Sequence, residues 1–149
     1  MKYDIATPYG ASYLIFENDA GEMALLLRAG DRWMSGFYTV PAGKLEHDEP
    51  YSAAAVREAT EEVGVTVDPV DLELVHVSHR RQDGNEWVDL FFKPARWAGE
   101  LKNNEPEAHS ELVWVHPRDF DSVQIIETQK EALLKSAQGV RYSDFGWAN

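Results

Sequence analysis

Gly43-Lys44-Leu45-Glu46-His47-Asp48-Glu49, then seven residues from Pro50 to Val56, then Arg57-Glu58-Ala59-Thr60-Glu61-Glu62-Val63-Gly64-Val65: this stretch decides how the chain is read. From Pro50 to Val63 alanine and glutamate are abundant and no glycine interrupts, which favours a helix. Pro50 suits the first helical position with Glu49 or Asp48 as its cap, and Gly64 suits the residue just past the end. On that helix Glu58, Glu61 and Glu62 stand at i, i+3 and i+4 and share one face, expected to be exposed. Val56, Ala59 and Val63 form the stripe expected to be buried. Like charges at that spacing repel by roughly 0.2–0.5 kcal/mol per pair, so a cation should offset them. Oxygen-only donors select a hard divalent ion, Mg2+ or Mn2+. A solvated acidic helix face would show the same residues.

The spacing resembles the Nudix box position for position: Gly, five residues, Glu, seven residues, then Arg-Glu-apolar-any-Glu-Glu-any-Gly-apolar. Gly43, Glu49, Arg57, Glu58, Glu61, Glu62 and Gly64 fill every fixed place, and Ala59 and Val65 the two apolar ones. Phe37 to Gly43 resembles the strand and proline that lead into the box, with Ala42 where glycine is commoner. The resemblance implies an α/β fold, the Nudix α/β/α sandwich around a mixed sheet, with the box as a loop–helix–loop. It implies hydrolysis of a nucleoside diphosphate linked to another group. Glu58, Glu61 and Glu62 would be metal ligands, or ligands and general base, with the Ala42 carbonyl as a further ligand. Glu49 and Arg57 would hold the loop through an ion pair. Gly43 and Gly64 would allow turns that a Cβ obstructs.

Outside the box the pattern agrees. The chain has 149 residues, 44% of them hydrophobic, enough for a single domain over 1–149 with its own core. Ser12–Phe16 and Met23–Arg28 around Asn18-Asp19-Ala20-Gly21 predict a hairpin, and Leu72–Ser78 and Trp87–Phe92 around Asp83-Gly84-Asn85 a second. Gly36–Pro41 and Leu112–Val115 read as further strands. Ser122–Gln138 reads as a helix with Val123, Ile126, Leu133 and Ala137 on one face. Such interspersed elements suit a mixed-sheet layered fold.

The net charge of -12 would repel a phosphate backbone, which argues against a nucleic acid polymer as partner. It also means that an anionic substrate needs bridging metal. No cysteine is present, which excludes disulfides and thiolate metal sites. No apolar run could span a membrane and the start lacks a signal-peptide pattern, so a cytoplasmic protein is expected. Monomer and homodimer both remain open.

For substrate, Trp97-Ala98-Gly99-Glu100 followed by Glu105 resembles the MutT-like branch, in which that later glutamate often supplies a metal ligand; Glu107 and Glu111 are the alternatives. Where diadenosine-polyphosphate hydrolases tend to carry tyrosine this chain has Arg81, Gln82 and Asp83. Arg80 stands where ADP-ribose hydrolases tend to carry proline. The expected reaction is therefore cleavage of a nucleoside triphosphate, including an oxidised one, to monophosphate and pyrophosphate. Hydrolysis of an ADP-sugar or another nucleoside diphosphate derivative is the alternative within enzymes. A nucleotide sensor without catalysis is a third reading, disfavoured because every box carboxylate is kept. Lys44, Arg28, Arg80 and Arg81 are the candidate phosphate clamps. Phe37, Tyr38, Phe91 and Trp114 could stack on a base. His76 and His79 lack helical zinc spacing and read as structural or peripheral, and His47 as exposed.

Overall fold

A computed structural model describes residues 3–147. Its strands are β1 (Tyr9–Leu14), β2 (Met23–Arg28), β3 (Tyr38–Thr39), β4 (Ala42–Lys44), β5 (Leu72–Gln82), β6 (Asn85–Pro94), β7 (His109–Val115) and β8 (Tyr142–Phe145). Helix α1 is Tyr51–Val63 and α2 is Glu127–Ala137. Five strands form one sheet in the order β4-β1-β6-β5-β8, and three form another in the order β3-β2-β7. The first sheet is mixed, because β1 runs parallel to β6 and β5 parallel to β8 while the other pairs are antiparallel.

Alternation along the strands builds two apolar layers. Ala11, Tyr13 and Ile15 of the first strand region, with Met23, Leu25 and Phe91, pack beneath Ala132 and Leu133 of α2. Leu14, Phe16, Ala24, Leu26 and Phe92 turn the other way and pack beneath Ala55, Ala59 and Val63 of α1. Helices thus cover both faces, which makes the α/β/α sandwich and explains why Ala24–Leu26 is apolar without alternation. Gln129 of α2 ties its helix to β3: its Oε1 accepts from Thr39 Oγ1 and Val40 N, both at 3.0 Å.

Several expectations change. The first hairpin forms only at its turn, from Phe16 to Ala24, because beyond it β1 and β2 belong to different sheets. The turn at Asn18–Gly21 is present and Glu17 bridges Met23, but β1's edges are occupied by β4 and β6, and β2's by β3 and β7. The second hairpin is longer than expected, closing on Asp83 and Gly84, both with positive φ as a two-residue primed turn requires. Pro50 is the cap of α1 rather than its first residue, and it makes no side-chain cap bond. The last helix begins only at Glu127; Pro117–Ser122 is a 3-10 turn, and Ala137 is exposed. Strand β8 had no expectation. Among the described residues no helix is long and apolar enough to cross a membrane.

Candidate active site

The box is a loop–helix–loop held by one arginine. Arg57 Nε and Nη2 donate to Glu49 Oε2 and Oε1 at 2.8 and 2.9 Å, a bidentate pair. The same guanidinium reaches Glu58 Oε1 at 2.6 Å and Glu61 Oε2 at 3.3 Å, and donates to the Lys44 carbonyl at 3.2 Å. It therefore ties the loop to the helix and orients two of the three carboxylates. Arg57, then the Glu46 N–H, pull the Glu49 carboxyl down to about 2. At the far end Gly64 takes the left-handed conformation, φ 70°, and its N–H bonds the Ala59 and Thr60 carbonyls.

The three glutamates are not a solvent face. Only Glu61 is exposed; Glu58 and Glu62 are 9% and 7% exposed. The helix lies over β1 and β4, so the face bearing Glu58 and Glu62 turns toward the Ala42–Gly43 backbone. Val56, expected in the buried stripe, is only half-buried, and Ala54 and Ala55 take its place. Burial pushes the Glu62 carboxyl well above the usual range, with the Glu58 charge adding to it. Burial raises Glu58 as well, opposed by Arg57. Among the described residues Glu62 accepts only the Ala42 N–H, at 3.4 Å from each oxygen. A buried carboxylate so poorly partnered fits a bound cation.

Glu105 joins this group because the preceding loop caps α1. Lys102 N and Asn104 N donate to the Val63 and Glu62 carbonyls at 3.1 and 2.9 Å, and the Asn104 amide donates to the Thr60 and Glu61 carbonyls. Helix-end carbonyls that would otherwise lack partners thus hold the loop in place. As a result Glu62, Glu105 and His109 offer donor atoms all within 4.8 Å of one another. Glu107 and Glu111 lie outside the cavity lining, and Glu111 accepts from Tyr38 Oη. Burial, then Arg32 and Arg28, push His109 down to about 4, so its imidazole is neutral at pH 7.

These groups form one wall of a cavity of about 590 Å3. Arg28, Arg32 and Lys44 bring positive charge to it, with Tyr13, Trp33 and Trp87 as its aromatic surfaces. Arg80 also reaches it, but its guanidinium is committed: Nε and Nη2 bond Asp89 at 2.6 and 3.2 Å, and Nη1 bonds Gln82 Oε1 at 2.9 Å. Arg81 does not line the cavity; it lies 5.6 Å from the Trp147 ring centroid instead. None of Phe37, Tyr38, Phe91 and Trp114 lines it either, and Phe91 is core. His76 is structural, bonding the Val140 carbonyl and Ser143 at 2.7 and 2.8 Å, and His47 is exposed. Arg32, Trp33 and His109 carried no local sequence signal.

Residues 7–136 match the NUDIX domain, and the chain belongs to the Nudix hydrolase family. Its likeness is to the MutT-like branch. The 8-oxo-dGTP diphosphatase of Escherichia coli (strain K12) is 32% identical over 108 residues, 71% of this chain and 82% of that protein. The 8-oxo-dGDP phosphatase NUDT18 of Danio rerio is 32% identical over 126 residues, 85% of this chain. The chain spans only 37% of the length of that protein, and likewise of putative nudix hydrolase 1 of Caenorhabditis elegans. Among solved structures, MutT from Methanosarcina mazei superposes with a TM-score of 0.76 at 20% identity, covering 91% of this chain and 97% of that one. The E. coli ORF135 protein gives 0.71 at 25% identity, covering 85% and 86%.

Proposed function

We propose that this chain is a divalent-metal-dependent pyrophosphohydrolase that converts a nucleoside triphosphate, an oxidised purine nucleotide foremost, to the monophosphate and pyrophosphate. The observation that carries this reading is the pairing of Glu58, Glu62 and Glu105 on one cavity wall with Arg28, Arg32 and Lys44 around the same space. Similarity to the E. coli 8-oxo-dGTP diphosphatase and the zebrafish 8-oxo-dGDP phosphatase supports an oxidised guanine as the base.

Glu58, Glu61, Glu62 and Glu105, with the Ala42 carbonyl, would hold Mg2+, or Mn2+ in its place. Such an ion neutralises phosphate charge and lowers the pKa of a bound water. Arg57 keeps Glu58 and Glu61 in register with the loop, so the carboxylates are set before substrate arrives. Arg28 and Lys44 would take the triphosphate's remaining charge, and Trp33 or Trp87 the face of the base. Water adds to phosphorus, its proton passes to a carboxylate, and the α–β anhydride bond breaks with pyrophosphate leaving.

The test is product analysis with Mg2+ over a panel of nucleoside triphosphates, 8-oxo-dGTP, 8-oxo-dGDP and ADP-sugars. Pyrophosphate from 8-oxo-dGTP, abolished by excess EDTA, is expected. AMP plus sugar phosphate as the preferred products would replace this reading with the ADP-sugar one, and turnover in EDTA would end it.

A further inference from the structure

His109 lies outside the box, and its chemistry differs from that of the carboxylates around it. It opens β7 opposite Arg28, where the β2–β7 register shifts. The residue is 3% exposed, and its buried Nδ1 has no hydrogen-bond partner among the described residues. Buried polar atoms are nearly always partnered, so an idle imidazole nitrogen needs a reason. The backbone fixes its placement: His109 N donates to the Glu105 carbonyl at 3.0 Å, and the Asn103 amide donates to the His109 carbonyl at 2.6 Å. The two residues are therefore carried on one short, tied segment, facing Glu62 of the helix.

Donor atoms of His109, Glu62 and Glu105 all fall within 4.8 Å of one another. Donors sharing one ion with bonds of about 2.0–2.2 Å sit roughly 3–4 Å apart, close to the 4.8 Å within which these three already fall. We propose that His109 gives a ring nitrogen to a divalent cation shared with Glu62 and Glu105, making a mixed nitrogen–oxygen site that prefers Mn2+ to Mg2+. Mg2+ takes oxygen donors and gives up its water reluctantly, whereas imidazole suits the transition ions. This inference rests on the metal dependence proposed above and specifies which ion one of the positions selects.

The metal-free full chain, without nucleotide, is titrated calorimetrically with Mn2+ and separately with Mg2+. Wild type should bind Mn2+ at least about tenfold more tightly than Mg2+. His109→Gln keeps the bulk but offers oxygen; it should lose most of that preference while its Mg2+ affinity changes by less than about twofold. Electron spin-echo envelope modulation of the Mn2+ complex should show 14N coupling in wild type and none in His109→Gln. A wild-type Mn2+ complex without 14N coupling overturns the inference whether or not the variant folds. Coupling that survives in the folded variant overturns it too. Failure of wild type to bind either ion would instead fell the metal-dependent reading itself.

Discussion

The Glu58 carboxylate lies so close to the Gly43 backbone that a Cβ at position 43 would overlap Oε1, Cδ and Cγ of that side chain. Gly43 is not among the glycines with positive φ, so it is space and not conformational freedom that position 43 requires. Gly43→Ala should push Glu58 out of place and loosen its contact with Arg57. A displacement of that kind costs on the order of 10²-fold in kcat/KM. The overpacking itself should cost about 1–3 kcal/mol. Steady-state kinetics with a thermal melt check this; full activity in Gly43→Ala would show that Glu58 is not needed where it stands.

Glu58 and Glu62 are both buried glutamates of one helix, yet they should respond oppositely to loss of charge. Glu58 accepts a 2.6 Å bond from Arg57, whereas among the described residues Glu62 has only the distant Ala42 N–H. In the metal-free protein Glu62→Gln should therefore raise Tm by about 2–4 °C, the equivalent of roughly 1 kcal/mol in a chain of this size. Glu58→Gln should lower it or leave it unchanged. Both should reduce kcat by about 10²-fold or more. Differential scanning calorimetry in EDTA separates the two, and equal shifts would mean that their partners do not differ as described.

Glu49 makes a prediction about acid. Its carboxyl is held at about 2 in the folded chain, below its ordinary 4.5, first by Arg57. The stability it contributes is present above the unfolded value and is lost as pH falls from about 4.5 toward 2. Urea unfolding of wild type and Glu49→Gln should therefore give curves that differ at pH 7 and converge by about pH 2. A gap that persists at pH 2 would assign the effect to packing rather than charge.

Arg80 and Asp89 form an ion pair in which both side chains are almost wholly buried. Asp89→Ala leaves the guanidinium without its counter-charge and should cost about 3–5 kcal/mol of unfolding free energy. The double change Arg80→Met with Asp89→Leu should recover a good part of that loss. Chemical denaturation of wild type and the two variants decides it, and a double variant no more stable than Asp89→Ala would refute the coupling.

The helix, the turn at Gly64 and the grouping of carboxylates were legible in the spacing, because spacing on a helix fixes which residues share a face, while the Glu49–Arg57 pair was expected only from the resemblance to the Nudix box. Spacing does not say what covers that face, which is why Glu58 and Glu62 were expected in solvent. Adjacent strand residues point to opposite sides, so Arg80 and Arg81 could not both reach one cavity. His109 was invisible for another reason. Its environment is assembled from a helix end, a loop and a strand start far apart in sequence, and no local pattern encodes that meeting.

Glu105 was singled out by its distance from Trp97, and the fold gives that spacing a physical meaning. The segment from Lys102 to Asn104 is bonded to the carbonyls that end α1, so the next residue emerges beside Glu62. Those holding bonds come from the backbone and from the Asn104 side chain, not from the Glu105 carboxylate. Removing that charge should leave the loop in place. Glu105→Gln should keep Tm within about 2 °C of wild type, since surface-side changes away from such bonds stay within roughly 0.5 kcal/mol. The Mg2+ concentration for half-maximal rate should rise, or kcat should fall, by about tenfold or more. Asn104→Ala is the informative contrast: it keeps every carboxylate but removes a clip, so it should lower Tm and activity together. Magnesium titrations of both variants, with Glu107→Gln as a control expected to match wild type, check the assignment. Wild-type kinetics in Glu105→Gln at every Mg2+ concentration would remove Glu105 from the site.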